Sequence, residues 1–330
     1  MFFPIKGKIS SIEKIFPVLF TLLFIVSAVM AQTEESNEKN DTKKPWYLRA
    51  TVEGVYDTNV ISKGDSVILP SDISNEDDWG GGALLTGGYR IHRDAKTNLW
   101  VDCRYISQYY SDMSDYDLQY VEPGLRAGFK LSDRFVANLR TSYSHAWVGA
   151  ENYDEDYGIG ADIIFIQTDW ANVSLGYKIR RAEYFYNINN SALDRDGITN
   201  AVQLVQNAKI PRTQLSISAG YRRSWINSDG SDYDYNNDTV FLSAWHPFIL
   251  DSKIRATASY GYSDYRNPNS RSDRSEKRKD GRIRVYAAIS KEIFKNLTIF
   301  GSYRFINNDS NLSTFEYARH TYTAGATYEF

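Results

Sequence analysis

The sequence predicts an all-β protein, a transmembrane antiparallel up-and-down β-barrel of about fourteen strands, and three observations support this prediction. Apolar and polar residues alternate with a period of two through most of residues 46–330, which is strand periodicity. The alternating segments are longer than the ~5–6 residues of ordinary soluble strands. Their connections alternate between short and long, as in outer-membrane barrels with tight periplasmic turns and long outer loops. Both chain ends fall at the short-turn end, so both termini are predicted to be periplasmic.

The first 31 residues have the features of a secretory signal peptide. Three lysines precede an apolar stretch from Ile15 to Val29, and small residues stand three and one positions before a cleavage point after Ala31. A membrane-anchoring helix is the alternative, but ~15 apolar residues are short for a span. Residues 32–44 are polar and free of aromatic side chains, and they are predicted to be a disordered periplasmic lead-in. The barrel domain therefore covers residues 45–330.

The composition excludes several classes of protein. With 38 Lys+Arg against 41 Asp+Glu, the formal net charge is −3, and no nucleic-acid partner is predicted. A single Cys excludes a disulfide framework and a multi-thiolate zinc site. The negative mean hydropathy excludes a bundle of transmembrane helices. The 25 Tyr, 16 Phe and 7 Trp are the unusual feature that a fold has to explain.

Each alternating segment is interpreted as one strand. The fourteen predicted strands cover residues 46–57, 79–91, 96–110, 118–131, 134–147, 152–167, 170–186, 198–209, 213–226, 238–248, 252–265, 280–292, 295–308 and 318–330. A soluble β-sandwich or a repeat β-protein is the competing interpretation. The segment lengths and the even strand number disfavour it, because a hairpin barrel needs an even number for both ends to meet on one side.

A barrel explains both the negative hydropathy and the aromatic residues. Only every second residue of a spanning strand faces lipid, so the apolar outward residues and the polar inward residues offset each other in the mean hydropathy. Tyr and Trp favour the two membrane interfaces, where one edge of the ring is wet. The predicted girdle residues are Trp46, Tyr47, Tyr89, Tyr105, Tyr177, Tyr221, Tyr260, Tyr262 and Tyr303.

The opposite set of positions carries the charge. A cation on the lipid face near mid-membrane costs about 2–4 kcal/mol, so the strand cations are predicted to line the lumen. These residues are Arg49, Arg90, Arg104, Arg126, Lys130, Arg140, Lys178, Arg180, Arg222, Arg255, Arg282, Arg284 and Arg304. The acidic members of the same set are Glu53, Asp102, Glu122, Asp162, Glu292 and Glu329. A positive wall suits anionic solutes, and the alternative is that the arginines pair with the acids and fill the interior.

The sequence predicts no catalytic residues, no metal site and no cofactor. The four histidines fall on different strands without metal-ligand spacing, and no Ser-His-acid set can be assembled from neighbouring strands. Acidic loops could bind divalent cations, but solvated loops explain them as well. Residues 229–238 resemble a calcium loop superficially, yet the bidentate Glu of an EF-hand is missing. The protein is therefore predicted not to be an enzyme.

The chain ends on Phe330, with Tyr328 two positions earlier. This is the terminal aromatic signature by which bacterial outer-membrane proteins are recognised for insertion. The predicted location is the bacterial outer membrane. The predicted partners are its lipid and lipopolysaccharide, together with the insertion machinery that binds the last strand. The sequence leaves the oligomeric state open.

Two stretches resemble a known family. Residues 53–60 (EGVYDTNV) open the first strand as a similar motif opens the barrel of surface lipoprotein assembly modifiers and of related barrels encoded with exopolysaccharide machinery. Residues 303–330 are similar to the closing hairpin of the same proteins. The resemblance implies about fourteen strands. Those proteins carry a helical-repeat domain before the barrel, whereas only residues 32–44 separate the predicted signal peptide from the predicted barrel here.

The functional prediction is a porin-like channel for polar, anionic solutes or oligosaccharides. The first alternative is a translocation or assembly component for surface lipoproteins or exopolysaccharide, which the resemblance implies. The second alternative is an outer-membrane hydrolase, which requires a histidine and an acidic residue to cluster at the rim of the barrel.

Overall fold

A computed structural model describes residues 44–62, 67, 75–185, 190–270 and 276–330, and these residues form a closed barrel of fourteen antiparallel strands. The predicted signal peptide and all but the last residue of the predicted lead-in lie outside the described residues. The strands are Trp46–Asp57 (β1), Asp78–Arg93 (β2), Thr97–Tyr110 (β3), Leu118–Lys130 (β4), Phe135–Val148 (β5), Glu151–Thr168 (β6), Ala171–Tyr184 (β7), Gly197–Ile210 (β8), Leu215–Ser228 (β9), Tyr235–Pro247 (β10), Lys253–Pro268 (β11), Lys277–Phe294 (β12), Leu297–Ser310 (β13) and Tyr317–Glu329 (β14). The predicted strands match them one for one, so the predicted all-β barrel is confirmed.

The barrel is closed because a sheet in lipid cannot leave an edge strand unpaired. Every strand pairs with its neighbours in sequence, and β1 pairs with β14 from Arg49↔Glu329 to Asp57↔Thr321. In lipid an unpaired backbone amide has no water to bind, so a spanning sheet must close on itself. We call the β1–β14 pairing the closing seam.

The two ends of the barrel differ in their connections. At the short-turn end the strands are joined by tight turns, and both ends of the barrel domain lie there, because the amide of Phe330 donates to the carbonyl of Leu48 at 3.0 Å. At the long-loop end the connections are longer and include single-turn 3-10 helices such as Ser114–Tyr116. No helix among the described residues has the length and apolar character to cross a membrane.

The tight turn between β2 and β3 shows how these short connections are stabilised. The Asp94 carboxylate contacts His92 Nε2 at 3.0 Å and accepts hydrogen bonds from the amides of Lys96 and Thr97 at 2.7 Å. The hydrogen bond with His92, followed by those two amides, lowers the pKa of Asp94 to about 2. The carboxylate therefore stays ionised and keeps capping the turn well below neutral pH.

Alternate residues point to two different faces. On β6, Ile159 and Ile163 are exposed on the outer face, and Asp156 and Asp162 occupy the other set of positions. The second set points inward, because the Tyr47 hydroxyl of β1 accepts a hydrogen bond from Arg126 of β4 at 3.3 Å. Strands β2 and β3 separate these two strands, so the contact crosses the concave side of the sheet. We call the two sets the outer face and the inner face.

The prediction that Tyr47 belongs to a lipid-facing girdle is therefore wrong. Tyr47 pairs with Gly88 across β1 and β2, and its ring occupies the space that a side chain at position 88 would need. The alternation within β1 places Trp46 on the outer face and Tyr47 on the inner face. Because both residues are aromatic and adjacent, the sequence did not show which of them faces outward.

Outer-face tyrosines form hydrogen bonds with polar side chains around the barrel. The hydroxyl of Tyr157 donates to Glu155 at 3.0 Å, that of Tyr177 donates to Asn200 at 2.6 Å, and Tyr221 donates to Asp238. All three tyrosines are exposed. Such rings with one apolar side and one hydrogen-bonding tip suit a membrane–water interface. The outer face between them and the short turns is apolar, consistent with an outer-membrane barrel in contact with lipid.

Candidate functional site

The structure places all thirteen strand cations singled out in the sequence on the inner face. The cross-strand register determines this position for each of them, as in Arg104↔Glu122, Arg126↔Arg140 and Arg222↔Thr239. None of the thirteen is buried. All thirteen side chains therefore keep some exposure to solvent.

In β3 to β7 the cations are paired with acids, and we call this part of the wall the paired half. Glu122 lies 2.8 Å from Arg104 and 3.7 Å from Arg140. Arg126 contacts Asp102, and Arg180 contacts Asp156. Lys178, on the same sheet, is attracted by Glu122 and Asp156 and repelled by Arg140 and Arg180. Here the carboxylates offset most of the positive charge.

Two further cations are paired at the short-turn end. Arg49 Nη2 lies 2.5 Å from Glu329, and Lys130 Nζ lies 2.7 Å from Asp133 in the turn after β4. The hydrogen bond and the charge of Lys130 lower the pKa of the Asp133 carboxyl. Exposed ion pairs of this kind contribute little to stability.

Arg90 stacks on an aromatic ring instead. Its guanidinium lies 4.8 Å from the ring centre of Trp100, and Arg126 lies 5.8 Å from the same ring. The attraction between a cation and the face of an indole holds both side chains against the wall. Trp100 is an inner-face residue that sequence reasoning did not single out, although strand alternation places it on the same face as Asp102 and Arg104.

On the inner face of β9 to β13, five arginines have no acidic partner among the described residues, and we call this part of the wall the basic wall. It consists of Arg222, Arg255, Arg282, Arg284 and Arg304, and none of them forms an ion pair with a described residue. Arg304 lies close enough to Glu53 of β1 for the charges to attract, without contact. The basic wall is therefore a region of uncompensated positive charge.

The basic wall remains uncompensated because its strands carry few inner-face acids. The inner positions of β9, β10, β11 and β13 hold no Asp or Glu, and β12 holds one at each end. Asp280 accepts two hydrogen bonds from Arg278, at 2.9 and 2.6 Å. Glu292 accepts the amide of Asn296 at 3.1 Å. Neither carboxylate contacts an arginine of the basic wall among the described residues.

The sequence-based list of inner-face charges was incomplete at the long-loop end. The register adds Asp57, Asp78, Asp154, Asp156 and Asp280 to the acids and Arg278 and Arg319 to the cations. Asp78 and Arg278 lie outside the predicted strands, whereas the other five lie within them and were left off the list. The additions reduce the predicted excess of thirteen cations over six acids without removing it.

An ion pair with a fully buried carboxylate closes the seam at the long-loop end. Asp57 of β1 is 0% exposed, and Arg319 of β14 donates to it from Nε at 2.9 Å and from Nη2 at 2.5 Å. The Asp57 carboxylate also accepts the amide of Asn59 at 3.1 Å. The side chain of Asn59 donates to the carbonyl of Ala318 at 3.2 Å. The two stretches that carried the family resemblance thus meet here.

One acidic cluster lies outside the barrel wall. Carboxylate oxygens of Asp194, Asp196 and Asp229 lie within 4.8 Å of one another, a geometry that could hold a cation. Burial, together with the neighbouring carboxylates Asp194 and Asp229, raises the pKa of Asp196. Backbone capping also explains two of the three, because Asp194 accepts the amide of Asp196 and Asp196 accepts that of Tyr184. Sequence reasoning missed the cluster because its members come from two loops.

A histidine and an acid do meet on the outer face near the long-loop end. His145 Nδ1 lies 3.4 Å from both Glu155 Oε1 and the Tyr143 hydroxyl, and His145 Nε2 lies 3.2 Å from Asn152. Both ring nitrogens of His145 are therefore engaged. No Ser or Thr hydroxyl contacts this histidine among the described residues. The pair lacks the nucleophile and the free nitrogen that a hydrolytic triad needs.

Comparison with known families identifies the group to which this barrel belongs. The sequence profile of the surface lipoprotein assembly modifiers matches residues 95–327. The chain belongs to the surface lipoprotein assembly modifier family. The match runs from the turn before β3 almost to the end of β14, so it covers all of the barrel except its first two strands. No curated protein matches the sequence.

Solved structures similar to this family member are outer-membrane barrels. The outer membrane channel DcaP of Acinetobacter baumannii aligns with a TM-score of 0.51 at 11% identity, over 89% of this chain and 100% of that chain. A FadL homologue of Pseudomonas aeruginosa aligns with a TM-score of 0.48 at 11% identity, over 86% of this chain and 90% of that chain. At this identity the likeness shows the fold, which is that of an outer-membrane barrel. Neither the family name nor these titles describes an enzyme.

Proposed function

We propose that this assembly-modifier barrel is a water-filled outer-membrane channel that favours anionic polar solutes. The observation that supports this proposal is the basic wall, whose five arginines form no ion pair with a described residue, whereas most of the other inner-face cations pair with acids. Fixed cations along a narrow aqueous path raise the local concentration of anions and exclude cations. In this arrangement the short-turn end and both termini face the periplasm, and the long loops face outward.

Ion preference in planar bilayers tests this proposal. Across a KCl gradient the wild-type channel is expected to show a reversal potential that favours chloride. The double variant Arg222→Gln/Arg284→Gln is expected to lower the chloride preference about fourfold, since each charge near the path changes it by about twofold once salt screening is included.

The matched control is Arg181→Gln/Arg223→Gln, which removes two arginines from the outer face of β7 and β9. Those arginines pair with Glu183 and Asp238, and their loss should leave the ion preference unchanged. A protein that inserts without conductance, or that prefers potassium, contradicts the proposal.

Family membership favours a second candidate, a translocation or assembly component for surface lipoproteins or exopolysaccharide. Under this candidate, deletion of the protein removes a lipoprotein or polymer from the cell surface and leaves uptake of small anions intact. Under the channel proposal, deletion slows anion uptake and leaves surface lipoproteins in place. Measuring both in the same deletion strain separates the candidates.

The last strand is proposed to be the segment that the insertion machinery binds. The rings of Tyr328 and Phe330 pack edge to face, 4.8 Å apart, and both are exposed on the outer face. Phe330→Ala is expected to reduce the amount of barrel in the outer membrane several-fold, while the purified variant refolds in detergent as the wild type does. Phe294→Ala is the control, since Phe294 is an exposed aromatic at the same end of the barrel. Equal losses in the two variants, measured by immunoblot of membrane fractions, would count against recognition of the last residue.

A further inference from the structure

Three arginines of the basic wall converge on one patch, and we call them the arginine trio: Arg222, Arg282 and Arg284. A single row of paired residues crosses four strands from Arg222 through Thr239 and Gly261 to Arg282. Neighbouring strands are ~4.8 Å apart, so the two ends of this row are separated by roughly 14 Å at Cα. Arg284 lies on the same face of β12, two residues after Arg282 along the chain. The trio therefore flanks a stretch of wall that is two strands wide, β10 and β11, and we call this stretch the gap.

The floor of this gap is uncharged. Thr239 and Gly261 occupy the row between Arg222 and Arg282, and Ser259 pairs with Arg284. Gly261 has no side chain to fill the gap, and the Thr239 hydroxyl donates to Asn237. Phe241 lies in the next row, with its ring over Gly220. Small polar side chains and one aromatic ring thus line the wall between the three arginines.

Charge repulsion acts within the trio, and one of its members is held in place. Arg284 is close enough to Arg222 and Arg282 to be repelled by both. Arg282 Nε donates to Asn308 Oδ1 at 2.8 Å, and the fully buried Asn308 donates in turn to the carbonyl of Phe315 at 2.7 Å. Asp280, the acid closest in sequence to Arg282, already accepts two hydrogen bonds from the Arg278 guanidinium. An arrangement that keeps like charges together at a cost in stability is typical of a binding site.

We propose that the arginine trio is a binding site for a compact anion of two or more negative charges, the phosphate group of a polar solute. Guanidinium groups match tetrahedral oxyanions through paired N–H donors, whereas a monovalent anion leaves most of these donors unused. Binding removes the repulsion within the trio, and this gain is specific to a multivalent ligand. The site deepens the channel proposal, because the anion reaches it through the lumen.

Equilibrium dialysis with inorganic pyrophosphate, against the folded full-length barrel in detergent, tests the site without requiring conductance. The wild type is expected to show saturable binding. Arg284→Gln and Arg222→Gln are each expected to weaken it about tenfold, since a charge-assisted hydrogen bond is worth roughly one such factor or more. Arg255→Gln is the matched control: it removes another basic-wall arginine, six residues along β11 from Gly261 and ~20 Å away, and should change the affinity less than about twofold.

Misfolding is separable from loss of the site. Removing one charge of the trio relieves repulsion, so Arg284→Gln should resist urea unfolding at least as well as the wild type. The proposal is overturned if pyrophosphate binding is absent, if all three variants bind it equally, or if acetate competes as effectively as pyrophosphate. A chloride-preferring channel that binds no pyrophosphate overturns the site and retains the channel, whereas pyrophosphate binding to a barrel without conductance retains the site and overturns the channel.

Discussion

Asp57→Asn is expected to lower the free energy of unfolding of the detergent-folded barrel by about 3 kcal/mol. The substitution leaves the Arg319 guanidinium in the closing seam without its counter-charge, and breaking a buried ion pair in this way costs about 3–5 kcal/mol. The lower end applies because Arg319 keeps 24% of its side chain exposed. Urea titration followed by tryptophan fluorescence measures the loss.

The other end of the same seam supplies the control. Arg49 and Glu329 form an ion pair of similar length, but their side chains are 54% and 59% exposed. Arg49→Gln should therefore change the free energy of unfolding by less than about 1 kcal/mol. The double variant Asp57→Asn/Arg319→Gln should recover part of the loss, because no unpaired charge remains. Equal effects of Asp57→Asn and Arg49→Gln would show that burial of the pair is not what stabilises the seam.

Glu122→Gln is expected to raise the chloride preference of the channel about twofold. The Glu122 side chain is 14% exposed and offsets Arg104 and Arg140. Without it, those two cations act on the lumen as the basic wall does. A unit charge ~6 Å from an ion contributes about 0.7 kcal/mol in water, and screening at ~0.1 M salt reduces the effect to roughly twofold. Reversal potentials in planar bilayers measure the change.

Glu155→Gln removes the same charge from the outer face and should leave the ion preference as it is. A fall in chloride preference in Glu122→Gln would mean that the carboxylate does not mask the neighbouring arginines. The paired half would then be structural filling, and only the basic wall would act on solutes. The experiment therefore decides between the two roles that the sequence alone left open for these arginines.

The sequence was sufficient for the fold because the evidence for a barrel is local. Alternation with a period of two can be recognised within a single strand. In β6, Ile159 and Ile163 can be assigned to one face and Asp162 to the other without knowing the neighbouring strands. The assignment of Tyr47 failed because two adjacent aromatic residues at the end of a strand do not show which of them faces outward. The sequence-based list of inner-face charges omitted Asp57 and Asp280, although both lie at the ends of predicted strands.

The division of the wall into two halves could not be read from the sequence. Whether an arginine is compensated depends on which residue stands beside it on the next strand, and a shift of one residue in register changes that neighbour. Arg104 and Arg222 look alike in sequence. In the structure Arg104 faces Glu122, and Arg222 faces Thr239. The arginine trio needs register across four strands, and no local pattern contains that information.

The closing seam has a consequence for the order of events in folding. Asp57 and Arg319 are 262 residues apart in sequence, whereas every other strand pairing joins neighbours along the chain. Closing so long a loop has an entropic cost that short hairpins avoid. The hairpins can therefore zip up in sequence, and joining the first strand to the last completes the cylinder. Residues 53–60 and 303–330 therefore lie at the one strand pairing that does not join neighbours along the chain.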